Sequence, residues 1–287
     1  MIGQFAGAII RGMAAASVVL LPALVLAPVS GGEPPYTALL VALILALLVT
    51  TEYHSSQPII TEFRDAPPYN LLRFTVLVLI FVSASLMFRH ALIGGSAKAD
   101  MLYGLGLLVG LAMDFPGSPV RLMTTVLSQG ADPAFAPVIT AAVGIAYLAG
   151  LVGLALFSIL IHAGLWPGRR KSFNKWVNLP NHDWTAPGNR RDGLVQDARV
   201  NIIFGFTLPF LTPLLLSVVL HEEIMRRLVG HPAALVWIIA MWSFLPFSLF
   251  MRGLALGAIA ELFAEKERGD TPKREDGQDE TEKLAAA

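Results

Sequence analysis

The 287-residue sequence contains no cysteine, which excludes disulfides, thiolate metal sites and cysteine nucleophiles. Charge is scarce as well: Asp, Glu, Lys and Arg make up 15% of the residues, against roughly 25% in a soluble domain. So little charge cannot cover a water-soluble globule. The basic residues form no broad face interleaved with aromatics and the formal net charge is zero, which speaks against a nucleic-acid partner. Catalytic fingerprints are missing too. There is no GxSxG elbow, no GxxxxGK[ST] phosphate loop, no GxGxxG after a strand and no HExxH or ExxH pair, so the sequence names no reaction, cofactor or bound metal. No internal repeat is visible, which removes a common pointer to a secondary transporter.

What is abundant is apolar length. Hydrophobic residues make up 55% of the chain and the mean hydropathy is +0.62. The charges crowd into 168–199 and 262–283, leaving uncharged runs long enough to cross a bilayer core, which takes about 20 helical residues. The pattern predicts an all-α polytopic bundle in residues 1–263, with spans near 8–28, 36–53, 71–93, 101–128, 136–164, 202–220 and 233–258. Residues 264–287 read as a disordered, charged tail whose closing Lys283-Leu284-Ala285-Ala286-Ala287 resembles a cloning scar. Pro209 and Pro213 should kink the sixth span and Pro246 the seventh. Small residues recur at four-residue spacing in Gly3/Gly7, Gly106/Gly110, Ala142/Ala146/Gly150 and Gly253/Gly257, as close helix packing in lipid requires.

The fourth span is irregular. Its first uncharged run covers only the 13 residues Met101 to Met113 before Asp114 and the break Pro116-Gly117. It is either one broken span, giving seven crossings, or a re-entrant pair, giving six. Seven is the expected count, because a broken spanning helix satisfies more of its backbone. Basic residues orient the chain: loop 168–201 carries seven and the tail from 264 carries five, so both, and hence the C-terminus, should be cytoplasmic. Seven spans put 15 basic residues inside and six outside, and six spans put 16 inside and five outside. Arginine outnumbers lysine 15 to 6 in an Ala/Leu-rich chain, which points to a GC-rich bacterial genome and a bacterial inner membrane.

Three groups of residues are candidates for function. Asp114 at the break, with Arg121 seven positions on and Pro116 and Gly117 between them, is read as part of an ion or solute path, because charge at membrane depth marks pathways or paired sites. The bland alternative makes Asp114 a solvated loop residue. Arg169, Arg170 and Lys171, near Trp166, Phe173, Trp176 and Trp184, suit a surface segment on anionic lipid headgroups, or a site for a membrane-protein partner or second copy. They also serve as an ordinary topogenic signal. With seven spans, Glu52, His54, Glu62, Asp65, His221, Glu222, Glu223 and His231 share one side, with metal-ligand types but poor spacing. His90 and His162 read as interfacial residues at cytoplasmic span ends, and Arg252 as a side chain snorkelling to the headgroups. The functional expectation is a channel or transporter. The alternatives are a non-catalytic subunit docking through 168–201 and a lipid-modifying membrane enzyme.

Overall fold

Uncharged runs of Leu, Val, Ile and Ala become helices in a bilayer because each backbone N–H and C=O must find its partner within the segment. The computed structural model describes residues 2–27, 36–56, 58–129, 133–167, 174–180, 190–219, 224, 227–228 and 230–270. Every regular element among them is helical: α1 (Ile2–Leu26), α2 (Tyr36–His54), α3 (Tyr69–Ile93), α4 (Ala97–Met113), α5 (Pro119–Ser128), α6 (Ala136–His162), the short α7 (Lys175–Asn178), α8 (Arg190–Val219) and α9 (Pro232–Asp270). Among the described residues, six helices are long and apolar enough to span a membrane: α1, α2, α3, α6, α8 and α9, with mean hydropathies of 1.8 to 2.3. The chain is an all-α, multi-pass membrane bundle.

Contacts fix the direction of each helix. Tyr69 stacks edge-on against Phe157, with ring centroids 5.3 Å apart, Val76 lies against Gly153, and Met87 and Ala141 both meet Gly106. Helices α3 and α6 are therefore antiparallel. The end holding Tyr69 and His162 is termed proximal here, and the end holding Ile93 and Ala136 distal. Phe5 meets His54 and Gly12 meets Thr50 and Ala46, which makes α1 and α2 an antiparallel hairpin. Gly253 against Ala198 and Ile202, and Gly205 against Phe250, make α8 and α9 another.

These directions decide the span count. Helix α4 begins where α3 ends and α5 finishes just before α6 begins, both at the distal end. The α4–α5 pair therefore enters and leaves on one side. The expected seventh span is corrected to a re-entrant pair, and among the described residues the candidate spans number six. Two half-helices leave more backbone ends than one broken span, and here the Ser118 hydroxyl and the Arg121 guanidinium each satisfy one of them. Gly106 and Gly110 let α4 lie directly on α6, with Gly110 against Thr140 and Gly144. Two further boundaries move. Residues 190–201 belong to helix α8 rather than to a loop, and α9 continues through 264–270, where a disordered tail was expected. Helix beyond the bilayer edge needs no apolar run, so hydropathy does not mark its end. Residues 271–287 lie outside the described residues.

Because lipid tails are as apolar as leucine, interlocking shape rather than hydrophobic contrast joins these helices. Ala142, Ala146 and Gly150 of α6 receive α9: the Ser243 hydroxyl donates to the Ala146 carbonyl at 2.6 Å and Phe247 covers Gly150. The prolines of α8 and α9 lie within helices that continue past them. Pro213 has no N–H to give the Pro209 carbonyl, and the Trp242 indole of α9 donates to that carbonyl instead, at 3.1 Å. One core joins α3, α5, α6 and α9 around Ile80, Phe88, Met123, Ile139 and Ile239. A second, at the proximal end, gathers Phe63, Tyr69, Phe157, Trp166, Met251 and Ile259.

Candidate functional site

The break between α4 and α5 has a local chemical cause. Pro116 cannot donate a backbone hydrogen bond, and Gly117 sits at φ +81°, a left-handed conformation that favours glycine. Ser118 then restarts the helix. Its hydroxyl accepts from the Arg121 N–H at 3.0 Å, and Pro119 occupies the first turn, where its missing N–H costs nothing. Arg121 reaches back across the turn: Nε donates to Asp114 Oδ1 at 2.7 Å and Nη2 to the Asp114 carbonyl at 2.8 Å. A cation at the end of α4 also suits the negative pole of that helix. One side chain thus neutralises the aspartate and caps an orphan carbonyl.

The turn follows the contact of α4 with the first turns of α6. Gly110 meets Thr140 and Gly144, four and eight residues into α6 and so about 6 to 12 Å from its first residue. Four residues beyond Gly110 stands Asp114. The Asp114 and Arg121 side chains are 32% and 42% exposed, while Phe115, Pro116 and Gly117 are exposed and Ser118, Pro119 and Val120 are buried. The chain thus presents a half-buried ion pair and exposed non-helical backbone side by side.

Known protein families, characterised proteins and solved structures offer no match to this chain. The site is therefore read on its own geometry.

The described residues of the proximal end include a packed plate built on the loop between α2 and α3. Loop 55–68 folds inward, burying Phe63 beside Tyr69 and Trp166, with ring centroids 4.6 and 5.5 Å away. The Trp166 indole donates to the Ala66 carbonyl at 2.9 Å. Trp166, taken from sequence as an interfacial companion of the basic loop, is instead 2% exposed. Asn178 of α7 holds the same loop twice, accepting from the Phe63 N–H at 2.8 Å and from the Asp65 N–H at 2.9 Å. Glu62 takes two hydrogen bonds from Arg252, Nε at 2.5 Å and Nη2 at 2.7 Å. Arg252 is therefore tied to the loop rather than snorkelling to lipid. Neither Asn178 nor the Glu62–Arg252 pair has a sequence signature, because the partners lie 113 to 190 positions apart.

The remaining candidates separate. Glu52, His54, Glu62 and Asp65 are proximal, His231 precedes the distal start of α9, and His221, Glu222 and Glu223 lie outside the described residues. With six spans this group is split between the two ends. Of its described carboxylates, Glu62 is held by Arg252 and Glu52 accepts from the N–H groups of Ile59, Ile60 and Thr61 at 3.0 to 3.1 Å. Among the described residues no three His, Asp or Glu side chains are grouped as a metal would need. His90 and His162, expected on one side, fall at opposite ends. His90 Nε2 lies 3.3 Å from Asp100 at the start of α4, and His162 Nδ1 lies 2.8 Å from the Ser158 carbonyl. Arg169, Arg170 and Lys171 are outside the described residues, while Trp176 on α7 is exposed.

Proposed function

We propose that this membrane protein takes part in moving an ion or small polar solute, and that the α4–α5 pair forms a wall of the path. One observation carries the reading: the half-buried Asp114–Arg121 pair and the exposed turn between them, where α4 and α5 meet on the distal side of the bundle. Non-helical backbone at membrane depth is tolerated only against protein or water. Among the described residues nothing covers Phe115, Pro116 and Gly117, and in this reading the turn faces an aqueous funnel from the distal side or a seam with another subunit. The orientation that fits is proximal end in the cytoplasm, since 16 of the 21 basic residues belong there in a six-span chain. A docking subunit acting through 168–201 has the exposed Trp176 in its favour. A lipid-modifying enzyme loses its carboxylate/histidine group to the six-span topology.

The test uses Asp114→Asn, Arg121→Gln and the double variant in liposomes loaded with proton- and potassium-sensitive dyes, with thermal stability measured in parallel. Each single change should lower flux and should destabilise more than the double, because it strands one charge at depth. Flux equal to that of protein-free liposomes in the parent chain, or unaltered in every variant, overturns the reading.

A further inference from the structure

The loop that follows α2 folds back onto the end of its own helix. The Glu52 carboxylate, two residues before that end, accepts the N–H of Ile59 at 3.1 Å and those of Ile60 and Thr61 at 3.0 Å. Pro58 has no N–H to give. Residues 58–61 therefore keep no backbone donor for water. Arg64 serves the acceptors at the helix end, where carbonyls lack an intrahelical partner. Its Nη1 donates to the Glu52 and Ser55 carbonyls at 3.0 and 2.6 Å.

The side chains of this loop are sorted. Phe63 enters the proximal core at 1% exposure, through a left-handed backbone, φ +53°, that bulky residues rarely adopt. Pro58 and Ala66 are buried as well. Ile59 and Ile60 remain outside, 71% and 66% exposed. Their amides lie within 3.1 Å of the Glu52 carboxylate, so both isoleucines stand level with the last turn of α2 instead of projecting beyond it. The side of the helix is fixed too. Glu52 comes one turn past the exposed Leu48, on the same face, and α2 buries only Ala42 in a span of mean hydropathy 1.8. The loop thus hangs from a face of α2 that lipid covers. A non-helical segment at an apolar boundary needs its apolar side chains turned outward and its backbone donors spent inward. In water neither arrangement brings a gain, since amides are hydrated there and exposed isoleucine is unfavourable. We infer that Ile59 and Ile60 insert between the headgroups and acyl chains of the proximal leaflet, with Glu52 positioning their backbone.

Because the chain has no cysteine, Ile60→Cys can carry a single environment-sensitive fluorophore. The full chain is reconstituted in phosphatidylcholine vesicles, with or without lipid spin-labelled near the headgroup, and iodide is supplied on both sides as the aqueous quencher. Ser56→Cys, exposed on the same loop, is the reference in water. The label at 60 should emit at shorter wavelength than the label at 56. It should also be quenched by the spin-labelled lipid and lose most of the iodide quenching seen at 56. Ile59→Cys repeats the measurement on the neighbouring side chain and decides if Ile60→Cys fails to fold. Iodide quenching at 59 and 60 equal to that at 56 overturns the assignment. So does a label shielded from iodide yet untouched by spin-labelled lipid, since that marks a protein contact with a second copy.

Discussion

Replacing Gly144 with alanine tests the contact that holds the re-entrant pair in place. A methyl at Gly144 would be driven into the backbone of Gly110, meeting both its Cα and its N, with the Val109 carbonyl carbon 3.3 Å away. Carbon atoms pack at about 3.5–4.0 Å, and the obstacle is main chain, which cannot rotate aside. Helix α4 must therefore retreat from α6 by about 1 Å, enough to forfeit a quarter to a half of each dispersion contact along the seam. Overpacking of this kind costs about 1–3 kcal/mol. Gly104, on the same helix, provides the control: nothing lies within 4 Å of an added methyl there, so Gly104→Ala should be neutral or stabilising by up to about 1 kcal/mol through helix propensity. Titration with a denaturing detergent in mixed micelles, followed by tryptophan fluorescence, measures both. A neutral Gly144→Ala, or equal losses at the two positions, would refute close packing of α4 on α6.

The absence of cysteine makes single-cysteine labelling clean, and it reads the topology directly. Ser96→Cys and Gln129→Cys, both exposed, should label from one face of the membrane, and Ser56→Cys and Leu165→Cys from the other. Labelling of 96 and 129 from opposite faces would restore the seven-span arrangement. Glu62→Gln should destabilise by about 2–4 kcal/mol, somewhat under the usual penalty for a stranded buried charge, because Arg252 is 29% exposed while Glu62 is 11% exposed. Adding Arg252→Met should recover part of that loss in the same detergent titration, and a further loss would show that the two residues act separately.

Local chemistry is what the sequence determined. Uncharged length gave six helices close to their expected places, since a bilayer leaves the backbone no alternative. The break after Met113 was legible because Pro116 and Gly117 act on their own backbone, and Arg121 is near enough in sequence to reach Asp114. The direction of α5 was not legible: a break shows that a helix stops, but not whether the chain then crosses or returns. That was decided by α6, whose antiparallel contacts with α3 put its first residue at the end where α4 begins. The proximal plate was also hidden, because Glu62 with Arg252 and Phe63 with Asn178 are joined only by folding. The physical reason is common to both. In water, apolar periodicity reports the buried face of a helix, whereas in lipid the outer face is as apolar as the inner one. Hydropathy therefore locates the helices without saying which of their faces meet, and that choice rests on small residues, caps and distant ion pairs that only the tertiary structure brings together.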